Sequence, residues 1–158
     1  ARKELGLPSD RQIVLFASSF NRIEKNYALA EQAVNELNAN VDLIEFSGYT
    51  RKKSAYLYSA VDCLLLTSIR EGSPQVIKEA MACGCPIVST DVGDISWLLK
   101  KTTQTRIVSF KPKDVALGLS EILGSGLRSN GRERVIELGL DLDSIANRID
   151  NVYKVVKS

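Results

Sequence analysis

The stretch EGSPQVIKE, residues 71–79, sets two carboxylates around a glycine, a serine and a proline. Such a run can do chemistry when it opens a helix. Ser73 suits the N-cap, where its hydroxyl takes up a free first-turn amide. Pro74 suits the first helical position, because its missing N–H has no partner there anyway. Gly72 lets the backbone turn sharply or be approached closely. The amides of Gln75 and Val76 then point out of the helix front. With the helix dipole they make an anion site fit for a phosphate or diphosphate. A helix start that is merely well capped carries the same residues. Glu79 lies one turn beyond Gln75 on the same face, and Glu71 lies just before the cap, so both are expected to border one pocket. Two carboxylates repel a phosphate unless each has other work. Hydroxyls of a sugar and a ribose supply that work, since a carboxylate accepts strong charge-assisted hydrogen bonds. For Glu79 the plainer alternative is a solvated helix residue beside Lys78.

Short β-type runs alternating with helical patterns must position this loop. QIVLFA (12–17), VDLIEF (41–46), CLLLTS (63–68) and PIVST (86–90) read as strands, with TRIVSF (105–110) as a fifth. NYALAEQAVNELN (26–38) places Ala30, Ala33, Val34 and Leu37 at helical spacing. KKSAYLYSA (52–60) and PQVIKEAMAC (74–83) are the next helices, the latter stopped by Gly84 and Pro86. DISWLLK follows the fourth strand, and three further helical patterns begin near Lys113, Asn130 and Asp143. Continuous apolar strands between helices predict an α/β fold, a doubly wound Rossmann-like parallel sheet with helices on both faces. Residues 1–158 are expected to form one such domain. Ligands of these sheets bind outside the carboxyl ends of the strands. That points to SSFNRIEKN, SGYTRK, SIREGSP and DVGDIS.

Composition narrows the classes. The 158 residues are 44% hydrophobic and 25% charged, enough for a real core in a water-soluble domain. A net charge of +2 does not suggest bulk nucleic-acid binding. No apolar stretch approaches the roughly 18–20 residues that span a bilayer. The three cysteines are an odd count without a secretory leader, which argues against a disulfide framework. Cys63 and Cys83 lie in apolar runs and are expected to be buried thiols. Cys83-Gly84-Cys85, with no histidine in the chain and no second cysteine pair, lacks the ligands zinc needs.

EGSPQVIKE followed by AMACGCPIVSTDVG resembles the Glu-x7-Glu signature of the family 4 (group 1) retaining glycosyltransferases. The resemblance is to their C-terminal, donor-binding domain, one half of a two-Rossmann (GT-B) fold. LGLPSDRQIVLF resembles that domain's opening, EKN its basic loop, and GYT…YLYSAVDCLLLTS its middle. It implies that a nucleotide-diphospho-sugar, UDP- or GDP-linked, is the donor, with retention at the sugar carbon. Glu71 would contact hydroxyls of the transferred sugar, within the loop of Gly72, Ser73 and Pro74. Amides of Gln75 and Val76 would hold the distal phosphate, and Glu79 the ribose. Lys25 would neutralise the diphosphate as charge builds on the leaving group. Tyr49 would lie near the nucleobase. No metal is expected. The acceptor, a glycan or lipid-linked molecule, would bind an N-terminal domain absent from this sequence. The resemblance further implies polysaccharide or surface-glycan biosynthesis, such as capsule or lipopolysaccharide, and a cytoplasmic protein compatible with peripheral attachment to the inner membrane face.

Two positions depart from the family pattern. Phe20 stands where many members carry an arginine, leaving Arg22 as the second cation or as a plain surface residue. Asp94 follows Gly93 where the family often has a second glycine, and Trp97 stands at a later glutamate's place. The runner-up reading is a degenerate, binding-only domain of the same fold. A dinucleotide dehydrogenase needs G-x-G-x-x-G after the first strand, and SSFNRIEKN has no glycine. A signalling receiver needs an acidic cluster at strand ends, for which Asp62 sits at the wrong end.

Overall fold

Branched apolar runs, one per strand, build a single five-stranded parallel sheet. The strands are β1 (Gln12–Phe16), β2 (Val41–Glu45), β3 (Cys63–Leu66), β4 (Ile87–Thr90) and β5 (Thr105–Val108), in the order β2-β1-β3-β4-β5. This computed structural model describes residues 2–37 and 39–157, the side chains of 153 and 155–157 apart. Each strand ends or begins one or two residues inside the run that encodes it. At β3 the reason is visible: Thr67 and Ser68 stay buried but turn their polar groups into loop contacts.

The helices are α1 (Tyr27–Asn35), α2 (Arg51–Ala60), α3 (Gln75–Ala82), α4 (Ile95–Leu98), α5 (Pro112–Ser125), α6 (Gly131–Glu137) and α7 (Leu142–Lys157). DISWLLK thus contributes α4, which periodicity could not assign in so short a piece. The first helix ends at Asn35, short of the expected run to 38, and residue 38 itself lies outside the described residues, as do residues 1 and 158 of the expected domain. Successive strand residues point to opposite faces. Ile13, Leu15, Leu64, Leu66 and Ile87 pack with Leu57 and Tyr58 of α2, Ile77, Ala80 and Met81 of α3, and Ile95 of α4. Val14, Phe16, Leu65 and Val88 pack with Ala30 and Ala33 of α1 and Val115, Leu119 and Ile122 of α5. Both faces are therefore covered, which is why the central strands read as unbroken apolar runs. Each large aliphatic side chain so buried contributes about 1.5–3 kcal/mol.

The cysteines divide differently from expectation. Cys63 and Cys85 are the fully buried pair, whereas Cys83 is only partly buried. Cys83 is the C-cap of α3, where the helix leaves the core. Burial pushes the Cys85 thiol up to about 12. Asp62 is a structural anion: its carboxylate accepts from Arg2 at 2.6 Å and from the Ile13 amide at 2.7 Å. No described helix is long and apolar enough to cross a membrane.

Candidate functional site

The strand order reverses between β1 and β3, since β2 lies outward of β1 on one side and β4 outward of β3 on the other. Loops leaving the carboxyl ends of β1 and β3 diverge there and leave a crevice. The first of these loops carries Lys25 in a 3-10 turn, Ile23–Lys25, closed by Asn26 at φ 56°. The second carries Glu71. The Thr67 hydroxyl donates to the carbonyls of Lys25 and Asn26, both at 3.0 Å. The Ile69 amide donates to the Glu24 carbonyl at 3.0 Å. These stitches bring Lys25 against Glu71, 46 residues away in sequence, as an ion pair. Ser68 donates a second hydrogen bond to the same Glu71 oxygen at 2.7 Å. The two charged side chains are only 15% and 12% exposed.

The helix front differs from the expected cap. Pro74, not Ser73, precedes the first helical residue, and Pro74 is extended at φ −69°, ψ 119°. Ser73 caps nothing: its hydroxyl donates to Asp94 Oδ2 at 2.5 Å. The cause is the loop after β4. Gly93 adopts φ 60° directly under Gly72, where a Cβ would lie 2.1 Å from the Gly72 carbonyl oxygen. The Asp94 amide then donates to that carbonyl at 3.1 Å. Turned to donate to the Asp94 carboxylate, the Ser73 hydroxyl does not present its oxygen to the first-turn amides, which are donors and need an acceptor. Ile77 turns its amide back to the Pro74 carbonyl at 3.2 Å. The amides of Gln75 and Val76 have no protein acceptor among the described residues, so the helix front keeps two free donors without a serine cap.

Glu79 and Glu71 do not share one pocket wall. Glu79 is exposed and accepts from the Tyr58 hydroxyl at 3.1 Å. It borders a cavity of about 170 Å³ with Arg51, Ser54 and Ala82. It also borders a larger one of about 790 Å³ that reaches Gln75, Lys78 and Arg132. The expected single pocket splits because Lys25 and Ser68 draw Glu71 toward β1, while Tyr58 draws Glu79 toward α2. Arg22 pairs with Glu24 on the exposed loop surface. Tyr49 stacks on Phe46, ring centroids 6.0 Å apart at 13°. Phe20, in the place of the family arginine, packs on Tyr27 at 4.1 Å and on Phe16 at 5.6 Å. It therefore braces the β1 loop with an aromatic cluster. Trp97 is half exposed.

Thr67, Ser68 and Tyr58 are site-building residues that motif reading passed over. Their only sequence signal is place: two polar residues ending an apolar strand, and a tyrosine on the helix before it. The assembled chemistry is a neutralised carboxylate and a lysine at the switch point, two free amides at the front of α3 and, apart from these, a solvated carboxylate facing α2. That set suits a ligand with a diphosphate between two hydroxyl-bearing groups.

The family model described as glycosyl transferases group 1 matches residues 24–125, which takes in Lys25, the whole 71–79 stretch and Asp94. This chain belongs to that glycosyltransferase family. TuaC of Bacillus subtilis (strain 168), a glycosyltransferase named for teichuronic acid biosynthesis, is 31% identical over 141 residues, covering 77% of this chain and 34% of TuaC. Sucrose-phosphate synthase from Thermosynechococcus elongatus superposes with a TM-score of 0.84 at 22% identity, over 98% of this chain and 48% of that one. Anabaena HepE in complex with UDP-glucose superposes with a TM-score of 0.72 at 16% identity, over 99% of this chain and 51% of that one. These structural likenesses establish the Rossmann-like fold of GT-B enzymes. The glycosyltransferase chain described here thus spans about a third of that curated relative and about half of each solved neighbour.

Proposed function

We propose that this chain is the donor-binding half of a retaining glycosyltransferase acting on a nucleotide-diphospho-sugar. The observation that carries the reading is the meeting of Lys25 and Glu71 at the β1/β3 switch point, before the free amides of Gln75 and Val76. In this reading the diphosphate lies across the helix front. Its distal phosphate takes the two amides, beside the Gly72–Ser73–Pro74 turn. Lys25 transfers its charge from Glu71 to the diphosphate, and Glu71 is freed to accept from the sugar's hydroxyls. Glu79 accepts from the ribose, Tyr49 borders the base, and Arg22 is the second cation once it leaves Glu24.

The chemistry then needs positioning and charge more than a general base. The bond from the anomeric carbon to the leaving phosphate oxygen loosens first. The acceptor hydroxyl attacks from the same face, and the departing phosphate takes its proton, so configuration is retained. Lys25 and the amides meet the charge that develops on the leaving group, so this reading requires no metal ion. A UDP donor is supported by the UDP-glucose of HepE, which shares the fold. A surface-glycan pathway is supported by the naming of TuaC. The acceptor would bind a second domain, and this chain alone would bind donor without efficient transfer.

Thermal-shift titration with UDP, GDP and their sugar conjugates tests the reading. Ligand at 100 times its Kd is expected to stabilise by about 2.7 kcal/mol, a shift of several degrees. The shift should be specific to one base and absent in Glu79→Ala. No shift with any of them at millimolar concentration overturns the donor assignment.

A further inference from the structure

Behind Glu79 lies a side chain to which the donor reading gives no role. Tyr58 of α2 is 1% exposed, and its hydroxyl donates to Glu79 Oε2 at 3.1 Å. Its ring stacks on Phe46 at 5.5 Å and 28°, and Phe46 stacks in turn on Tyr49. The backbone beneath it is fixed as well. Arg128 donates to the carbonyls of Tyr58 at 2.7 Å, Val61 at 2.9 Å and Cys83 at 3.3 Å, tying the end of α2 to the end of α3. Burial, and then the Glu79 carboxylate, push the phenol well above its usual range. At neutral pH this hydroxyl is therefore always a donor.

Glu79 is the opposite kind of residue. It is exposed, and its Oε1 has no protein partner among the described residues. A solvated glutamate loses rotamer freedom when a ligand orders it. A rigid donor already holding one oxygen removes part of that cost before the ligand arrives. The rigid partner sets the mobile one, not the reverse.

We propose that Tyr58 is a positioning residue: it holds Glu79 Oε2 so that Oε1 is ready to accept from the vicinal hydroxyls of a nucleoside ribose. The same row of rings ends at Tyr49, so the ribose contact and the base contact stand on one support. The proposal rests on the reading of Glu79 as the ribose contact.

The test compares UDP with 2′,3′-dideoxyuridine diphosphate, and the guanosine pair in parallel, on the unaltered protein, Tyr58→Phe and Glu79→Ala. Tyr58→Phe keeps the ring and its packing and removes only the donor. The unaltered protein should prefer the ribonucleotide. Tyr58→Phe should weaken ribonucleotide binding by about tenfold, the worth of a hydrogen bond to a charged group, and leave the dideoxy analogue unchanged. A tyrosine with a merely structural role would weaken both ligands alike, or neither, and either result overturns the proposal. Ribose preference lost in Glu79→Ala but kept in Tyr58→Phe sinks the positioning role and leaves the donor reading standing. No ribose preference in the unaltered protein with either base, or a preference that survives Glu79→Ala, sinks the ribose reading and this proposal with it.

Discussion

Glu71 and Glu79 belong to one stretch of chain, yet the fold treats them as different chemical objects. Glu71 is clamped by an ammonium and a hydroxyl and is 12% exposed. Glu79 is exposed and held by a neutral phenol. The difference decides what each can meet. Glu71 has its charge cancelled, so an anion can approach the neighbouring helix front without facing two bare carboxylates. Glu79 keeps its full charge, so it suits hydroxyls and repels phosphate. The ion pair also makes Lys25 a shared resource: any anion that recruits it must release Glu71, and that coupling has no counterpart at Glu79.

The comparison breaks most directly at Lys25. Lys25→Ala leaves Glu71 sheltered and unpaired, which should cost about 3 kcal/mol of stability and weaken nucleoside diphosphate binding about 100-fold. Lys25→Ala with Glu71→Gln should recover most of the stability, read by urea midpoint, and none of the binding. Equal destabilisation of the single and double variants would show that the pair is not the reason.

Alkaline pH probes the buried thiols and phenol: Tyr58, Cys83 and Cys85 cluster beside Glu79 with raised pKa values, and burial raises Cys63 on the other sheet face as well. The unfolded chain releases the Cys85 proton near its ordinary 9.0, while the folded chain holds it to about 12. Between those values unfolding releases a proton, so higher pH favours unfolding. This group's contribution is complete below that lower value and gone above the upper. The urea midpoint should be flat from about pH 7 to 9 and then fall, by up to about 1.4 kcal/mol per pH unit for each such group. Cys85→Ala should make the fall shallower, and an unchanged slope would remove the thiol from the account.

A smaller effect belongs to Asp94, which puts a third carboxylate beside the helix front through Ser73. Asp94→Asn keeps an acceptor for the serine and removes the charge. Nucleoside diphosphate affinity should rise two- to threefold, about 0.3–0.7 kcal/mol, the scale of one charge at a helix terminus. A fall in affinity would mean that Asp94 contributes to binding rather than opposing it.

Much of this arrangement is legible in the residues themselves, and the misses share a cause. Strands buried on both faces must be apolar throughout, so QIVLF and CLLL announce themselves whatever surrounds them. The Ser73 cap fails because the hydroxyl is turned to donate to Asp94, 21 residues away, and its oxygen accepts from no amide of the first turn. Cys83 and Cys85 exchange burial because the helix leaves the core between them. The shared pocket of Glu71 and Glu79 splits because each carboxylate follows a partner on a different element.

Local pattern by itself determined the parallel α/β sheet, the loops at its carboxyl edge and the free amides at the front of α3, because each depends on neighbours within a turn or a strand. Tertiary structure alone decided that Lys25 neutralises Glu71, that Tyr58 holds Glu79 and that Asp94 takes the hydroxyl of Ser73. Those are contacts between residues 21 to 46 positions apart, and a hydrogen bond or an ion pair depends on the distance between atoms, which only the folded chain sets.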